Sequence, residues 1–345
     1  MEDGVLDCNE SGSTFRFLLP VVCALGKEAK FILRGNLGNR PMEEFYKLLE
    51  EKTIKINRTN SREITVSGQL VPGTYNISGN ISSQYISGLL FALPLLKGDS
   101  IIKLKTPLES INYVEMTIDV LKTFGIIVER IPLGYQIRGN QKYICPKEYE
   151  VEGDWSNGGY MLALGGLLKD GIKVKGLDLN SKQGDKKILN IFENMGLEVI
   201  VGESEVFVGK KFLRGVLVDG RNIPDLIPVI GLLAAVAKGK TTITNCKRLK
   251  YKESNRLAGT CEIINALGGK ATFDDNNIYI EGVAKLYGGS ISCKNDHRLA
   301  MILALASLIT RDPVIIQGSK GINKSYIGFY DILKDKLGCN NFVEK

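Results

Sequence analysis

The sequence predicts an α/β protein of two domains, each assembled from copies of one repeating element. Three observations carry that prediction. Five segments share one layout, an apolar helix rich in small residues, a tight turn and a short β-branched strand, and they recur about every 70 residues. A second module, an amphipathic helix followed by two strands, falls between them at the same spacing. A change of composition near "CPKEYEVEGDW" (145–155) separates residues 1–149 from residues 150–345.

In chain order the apolar segments are "FRFLLPVVCALGKEAKFILRG", "ISGLLFALPLLKGDSIIKLK", "YMLALGGLLKDGIKVKG", "IPVIGLLAAVAKGKTTITN" and "AMILALASLITRDPVIIQG". Their turns fall at Gly26, Gly98, Gly171, Gly239 and Asp312. Of the second modules, "MEEFYKLLEEKTIKINRTNSREITVSG" and "EIINALGGKATFDDNNIYIEG" are the clearest, and their last strands end at Gly68, Gly139, Gly209 and Gly282. Helices apolar all round belong inside, whereas the charged helices face solvent. One period counted back from Gly26 falls before Met1, so the first repeat is expected to be incomplete.

Composition narrows the function. The 345 residues are 44% hydrophobic and 24% charged, without a low-complexity tract, enough for two ordinary cores. A net charge of +7 suits acidic partners. The Lys and Arg residues are dispersed and not interleaved with aromatics, so small anions are expected and nucleic acid is not. The seven cysteines, Cys8, Cys23, Cys145, Cys246, Cys261, Cys293 and Cys339, show no CxxC spacing and no grouping with the single histidine, His297. That pattern predicts reduced thiols and no metal site. The longest apolar run, "LIPVIGLLAAVA" (226–237), contains a proline and is too short to span a bilayer. With no signal-peptide pattern at the front, a cytoplasmic location without membrane attachment is expected.

Unusual residues gather where the apolar helices begin. They are "ESGSTFR" with Gly12 and Arg16, "NISSQY" with Ser82, Ser83 and Gln84, "GDWSNGGY", "RNIPDL" with Asp225, and "NDHRLAM" with His297 and Arg298. Free N–H groups and the helix dipole favour an anion there. An arginine in the first turn opposes the dipole, and its occurrence in two helices points to an external negative partner. "GNRPMEEF" sets Arg40 before a proline suited to a first helical position. "LKYKESNRLAG" (249–259) is expected to place Lys252, Glu253 and Arg256 within about one helical turn. "GINKSYIGFY" sets Lys324 ahead of an aromatic-rich helix start. Plain roles stay open for several of these: Ser82 and Asp225 as N-caps, Glu253 with Arg256 as a solvated pair, His297 as a structural residue. Arg16, Arg40 and Arg298 are harder to explain so, because a guanidinium offers bidentate, permanently charged recognition of carboxylate and phosphate.

In content and order, "SGSTFR", "NRPM", "ISSQY", "EGDWS", "IPD", "YKESNR", "NDHRLAM" and "KSYIGF" resemble the 5-enolpyruvylshikimate-3-phosphate synthase (3-phosphoshikimate 1-carboxyvinyltransferase) family over essentially the whole chain. The resemblance implies a two-domain pseudo-symmetric enolpyruvyl transferase fold of βαβαββ repeats, six in the family against five counted here. It implies transfer of the enolpyruvyl group of phosphoenolpyruvate to the 5-hydroxyl of shikimate 3-phosphate, releasing phosphate, in the shikimate pathway to chorismate and the aromatic amino acids. No cofactor is implied. Ser82, Ser83, Gln84, Ser110, Tyr113, Asp225 and Lys252 resemble the family's shikimate 3-phosphate ligands. Gly12, Arg40, Gln84, Arg256, Arg298 and Lys324 resemble its phosphoenolpyruvate ligands. Asp225 resembles the group that accepts the 5-hydroxyl proton, Glu253 the acid that protonates the methylene carbon, and Lys324 stands with them as catalytic. Arg16 and His297 are expected to support these groups. The first domain would then hold shikimate 3-phosphate, and the second would supply the phosphoenolpyruvate clamp and the carboxylates. A monomer that also accepts glyphosate is the family expectation.

The family's "KSxxxR"-type opening segment, which contacts both substrates, has no counterpart before "ESGSTFR", so the resemblance also implies a truncated synthase with impaired turnover. Two other readings stand beside it. One is a remnant that binds anions without chemistry. The other is the sister transferase acting on UDP-N-acetylglucosamine, whose reactive cysteine sits on a mobile loop, unlike Cys23 within its apolar helix.

Overall fold

Two parallel strands cannot be joined by a tight turn; the chain must cross over, and here an apolar helix makes the crossing in four of the five parallel strand pairs among the described residues. The computed structural model describes residues 4–345. The chain divides into two compact units, Met1–Glu150 and Val151–Lys345.

In the first unit, β1 (Val5–Asn9), α1 (Gly12–Ala24), β2 (Ala29–Leu33), α2 (Glu43–Glu50), β3 (Lys55–Asn60) and β4 (Glu63–Ser67) form one βαβαββ repeat. Its sheet runs β1-β2-β4-β3, with β1 parallel to β2 and the remaining pairs antiparallel. The second repeat, β5 (Gly73–Ile77), α3 (Ser83–Ala92), β6 (Ser100–Leu104), α4 (Ile111–Thr123), β7 (Val128–Ile131) and β8 (Gly134–Ile137), reproduces that order as β5-β6-β8-β7.

The second unit begins with α5 (Trp155–Ala163), β9 (Ile172–Lys175), α6 (Ile188–Asn194), β10 (Glu198–Val201) and β11 (Glu205–Gly209), which form a three-stranded sheet. A full repeat follows: β12 (Leu217–Asp219), α7 (Ile227–Ala235), β13 (Lys240–Thr244), α8 (Arg256–Ala266), β14 (Lys270–Phe273) and β15 (Ile278–Glu281). The last sheet is parallel throughout, β16 (Gly289–Ser292), β17 (Val314–Gln317) and β18 (Phe342–Glu344), with α9 (His297–Ala306) crossing between its first two strands.

The incomplete first repeat expected from the spacing is corrected here. β1 is present, and the first repeat has all four strands. The three-stranded sheets are those of β9 and of β17. The repeat landmarks all lie after the apolar helices, so a five-residue edge strand with only Cys8 fully buried left no periodic mark ahead of α1.

Each unit has its own core. Every residue of α7 and of α9 is buried. Amphipathic α2 turns only Phe45, Tyr46, Leu48 and Leu49 inward. Each such aliphatic or aromatic side chain stabilises by about 1.5–3 kcal/mol when fully buried. Gly26 ends the first apolar helix at φ +63°, a conformation that costs glycine nothing. Gly88 sets how closely α1 and α3 approach, because a Cβ there would lie 2.3 Å from the Arg16 carbonyl oxygen. Among the described residues no helix is long and apolar enough to cross a membrane.

Gly88→Ala should therefore push α1 and α3 apart. The expected loss is about 1–3 kcal/mol, read as a lower denaturation midpoint of the full chain; an unchanged midpoint would contradict backbone contact at this crossing.

Candidate active site

In the first unit the starts of α1 and α3 bring the predicted residues together. The Ser11 hydroxyl caps α1, accepting from the Thr14 N–H at 3.1 Å. Gly12 follows as the first helical residue, and a Cβ on it would lie 2.8 Å from Arg40 Nη1 and 3.3 Å from Arg16 Nη1. Both guanidinium groups thus converge on this glycine. Arg16 is buried and donates to Gln84 Oε1 at 2.8 Å and to the Pro41 carbonyl at 3.3 Å, with its plane over the Tyr85 ring. These partners orient the arginine without adding negative charge.

Ser82 caps α3, its hydroxyl accepting from the Gln84 N–H at 3.3 Å, and both Ser82 and Ser83 are buried. Ser110 takes a left-handed conformation (φ 53°) just before α4, and Tyr113 lies in that helix's first turn. The middle of α4 is tied to α3 by Ser87 Oγ and Thr117 Oγ1 at 2.7 Å, and Thr117 donates back to the Tyr113 carbonyl in the first turn.

In the second unit the organising group is Arg256, the first residue of α8, with 0% exposure. Each of its three nitrogens donates to a carboxylate. Nε reaches Asp296 Oδ2 at 2.8 Å, Nη1 reaches Asp225 Oδ1 at 2.5 Å, and Nη2 reaches Glu253. Asp296 also accepts from the Ser254 hydroxyl at 2.9 Å and caps α9 through the Arg298 N–H at 2.9 Å. Lys252 Nζ stands 3.3 Å from Asp225. Arg298 lies over the Tyr160 ring, and the Tyr160 hydroxyl donates to the Asp225 carbonyl at 2.9 Å. Lys324 Nζ donates to the Asn295 carbonyl at 2.6 Å, one residue before Asp296.

The charges decide which protonation states this cluster holds. Burial alone would push the Asp225 carboxyl up, but Lys252, then Arg256 and Arg298, hold it well below the usual carboxylate range. Burial lowers Arg256, and Asp296, Glu253 and Asp225 outweigh it and keep the guanidinium charged. Asp185, buried ahead of α6, accepts from the Ser156 hydroxyl. Burial and then the negative Asp225 raise its carboxyl to about 7. Burial, Arg256 and Arg298 lower the His297 imidazole to about 4, so it is neutral at physiological pH. Glu253, Asp296 and His297 present donor atoms within 4.8 Å of one another. Arg256 already bridges both of those carboxylates, so a divalent ion there would have to displace a buried guanidinium.

Several expectations change. Lys252 and Glu253 are not helical: the Asn255 side chain accepts from the Ala258 N–H and starts α8 only at Arg256, so Lys252 and Arg256 meet through Asp225 and not as an i,i+4 pair. Pro41 precedes α2 instead of opening it, because Met42 occupies the cap position. Asp225 is no cap either, since its carboxylate is taken by Arg256 and Lys252. Sequence reasoning did not single out Asp296, Asp185 or Asn157. Asp296 stood in the quoted "NDHRLAM", where a capping residue directly before an apolar helix was the available signal.

Two outcomes follow from these contacts. Asp296→Ala leaves Arg256 one carboxylate short inside the protein and uncaps α9, so stability should fall by about 3–5 kcal/mol in denaturant unfolding. Asp185 has a folded value above its unfolded one, so its contribution is present below about pH 4 and is lost as pH rises through about 7. Asp185→Asn should therefore stabilise the chain by up to about 4 kcal/mol at pH 8 and by little at pH 4, and equal gains at both would contradict the assignment.

Residues 1–333 match the sequence profile of the family described as EPSP synthase (3-phosphoshikimate 1-carboxyvinyltransferase). A 3-phosphoshikimate 1-carboxyvinyltransferase of Clostridium novyi (strain NT) is 40% identical over 332 residues, covering 96% of this chain and 76% of that relative. One of Clostridium perfringens (strain SM101 / Type A) is 41% identical over 337 residues, covering 97% and 79%. Among solved structures, an EPSP synthase from Acinetobacter baumannii superposes with a TM-score of 0.76 at 22% identity, over 96% of this chain and 78% of that one. The enolpyruvyl transferase NikO from Streptomyces tendae also gives 0.76, at 21% identity over 95% and 76%. These structures share the fold, and the sequence matches extend the likeness to the family itself: the chain belongs to the EPSP synthase (3-phosphoshikimate 1-carboxyvinyltransferase) family.

Proposed function

We propose that the protein transfers the enolpyruvyl group of phosphoenolpyruvate to the 5-hydroxyl of shikimate 3-phosphate and releases phosphate, as a step of the shikimate pathway to chorismate and the aromatic amino acids. The observation that carries this reading is the Arg256 guanidinium, which holds Asp225 and Glu253 on two different nitrogens and so fixes a base and an acid at separate points. Addition needs both. The 5-hydroxyl oxygen attacks C2 of phosphoenolpyruvate while Asp225 accepts its proton and Glu253, in its protonated form, gives a proton to the methylene carbon. The resulting tetrahedral adduct then loses phosphate, which takes the proton held by Asp225, while the Glu253 carboxylate takes a proton back from the methyl group, restoring the double bond and the starting state of both residues.

Asp225 is ionised, as a base must be, but its cationic neighbours make it a weak one. Two multiply charged substrates placed among Lys252, Arg256 and Arg298 would draw on those cations and raise its basicity. Shikimate 3-phosphate is assigned to Ser82, Ser83, Gln84, Ser110, Tyr113, Asp225 and Lys252. Phosphoenolpyruvate is assigned to Gly12, Arg40, Gln84, Arg256, Arg298 and Lys324, with Lys324 also acting in catalysis. Because all three nitrogens of Arg256 already meet carboxylates, it serves phosphoenolpyruvate with its remaining N–H groups. Arg16 steadies Gln84, and neutral His297 lies beside Arg256 without competing for its carboxylates. The same reading makes the protein a cytoplasmic monomer with glyphosate as a competitor for the phosphoenolpyruvate residues.

The test is phosphate release by the purified chain. It should require both substrates together, and Asp225→Asn or Glu253→Gln should each lower it about 100-fold or more. No release with both substrates present, or full activity in either variant, would overturn the reading.

A further inference from the structure

We propose that Asn157 is a positioning residue that aims Arg298 at the phosphoenolpyruvate anion while leaving its charge unneutralised. The proposal rests on the function given above. Asn157 is the third residue of α5, and its side-chain amide joins three segments far apart in sequence. Oδ1 accepts from Arg298 Nη1 at 2.7 Å and from the Ser325 hydroxyl at 3.2 Å, and Nδ2 donates to the Ser325 carbonyl at 3.3 Å. One amide therefore fixes the first turn of α9 against the residue that follows Lys324. Two of the cations assigned to phosphoenolpyruvate, Arg298 directly and Lys324 through its neighbour Ser325, are thus tied to one neutral group.

The chemistry of that group matters as much as its position. Arg256 and Arg298 are both buried and both feel the charge of Asp225, yet of the two only Arg256 bonds carboxylates directly. Arg256 is bonded to three carboxylates. Among the described residues no carboxylate bonds Arg298. Its side-chain contacts are the Asn157 amide oxygen, the Met301 sulfur at 3.8 Å and the face of the Tyr160 ring, and its Nε is buried without a hydrogen-bond partner. A buried donor left unmade carries a desolvation cost that an arriving oxyanion would relieve. An aspartate at position 157 could make the same bond to Nη1, but as an ion pair it would cancel the charge that the anion is meant to meet. An asparagine supplies the geometry alone.

The experiment compares the full chain as wild type, Asn157→Asp and Asn157→Ala, reading phosphoenolpyruvate affinity as its KM in phosphate release at saturating shikimate 3-phosphate, and reading the affinities for shikimate 3-phosphate alone and for inorganic phosphate by calorimetric titration. Circular dichroism confirms that each variant is folded. The expected result is a loss of about 10- to 100-fold for phosphoenolpyruvate in Asn157→Asp and a smaller loss in Asn157→Ala, with shikimate 3-phosphate affinity unchanged within about twofold. A merely structural asparagine would weaken both substrates alike or neither. Phosphoenolpyruvate and phosphate affinities equal to wild type in folded Asn157→Asp would overturn the inference. Wild-type protein that binds phosphate but turns over no phosphoenolpyruvate would overturn the proposed function, while a phosphate affinity reduced by Asn157→Asp would still support Asn157 as the residue that directs Arg298.

Discussion

A fully buried guanidinium is costly unless every side of it is matched, and Arg256 is matched by three carboxylates from three segments. Removing water from four charged groups gains little stability by itself, and a packed apolar cluster would serve a core as well. What the arrangement provides is position. Asp225 lies just before α7, Glu253 just before α8 and Asp296 just before α9, so one side chain pins the starts of three helices to one another. Any rotation of one of those helices about its axis would break a charge-assisted hydrogen bond in a low-dielectric interior.

The repeat explains how three such segments come to share one residue. In a βαβ crossover the helix starts where its strand ends, so successive repeats present their loop-to-helix junctions alike. The apolar helices supply the burial and the junctions supply free N–H groups. The two units use this differently. In the first, the junctions carry glycine, serine and arginine: Gly12 admits two guanidinium groups, and Arg16 donates to the Gln84 amide oxygen, the Pro41 carbonyl and the Met42 sulfur, while within α3 Gly88 lets α1 and α3 touch. In the second, the junctions carry acids and bases that settle each other's ionisation, keeping Asp225 charged, His297 neutral and Asp185 near its midpoint at neutral pH.

Much of this could be read before any coordinates. The five apolar helices and the strands after them lie where the turns at Gly26, Gly98, Gly171, Gly239 and Asp312 put them, because a helix buried on all sides leaves an unbroken apolar run in the sequence. β1 could not be read, since a five-residue edge strand buries too little to show alternation. The family resemblance picked out Asp225, Glu253, Lys252, Arg256 and Arg298 as site residues, but the pattern misjudged how Lys252 and Glu253 are held. Their spacing suits a helix, and the Asn255 cap overrides it. Asp296 and Asn157 were hidden for a different reason: each acts across 40 or more residues of chain, at separations |i−j| of 40 and 141, and local pattern carries no trace of a partner so distant.

The central claim is that Glu253, held by Arg256, protonates the methylene carbon of phosphoenolpyruvate during reversible addition. Proton nuclear magnetic resonance of phosphoenolpyruvate in deuterium oxide, with shikimate 3-phosphate and the purified chain, measures this directly. The account predicts that the vinyl protons at C3 are replaced by deuterium as the adduct forms and reverts, and that Glu253→Gln abolishes the exchange. Exchange that persists undiminished in folded Glu253→Gln, or that never occurs in the wild-type chain, would contradict it.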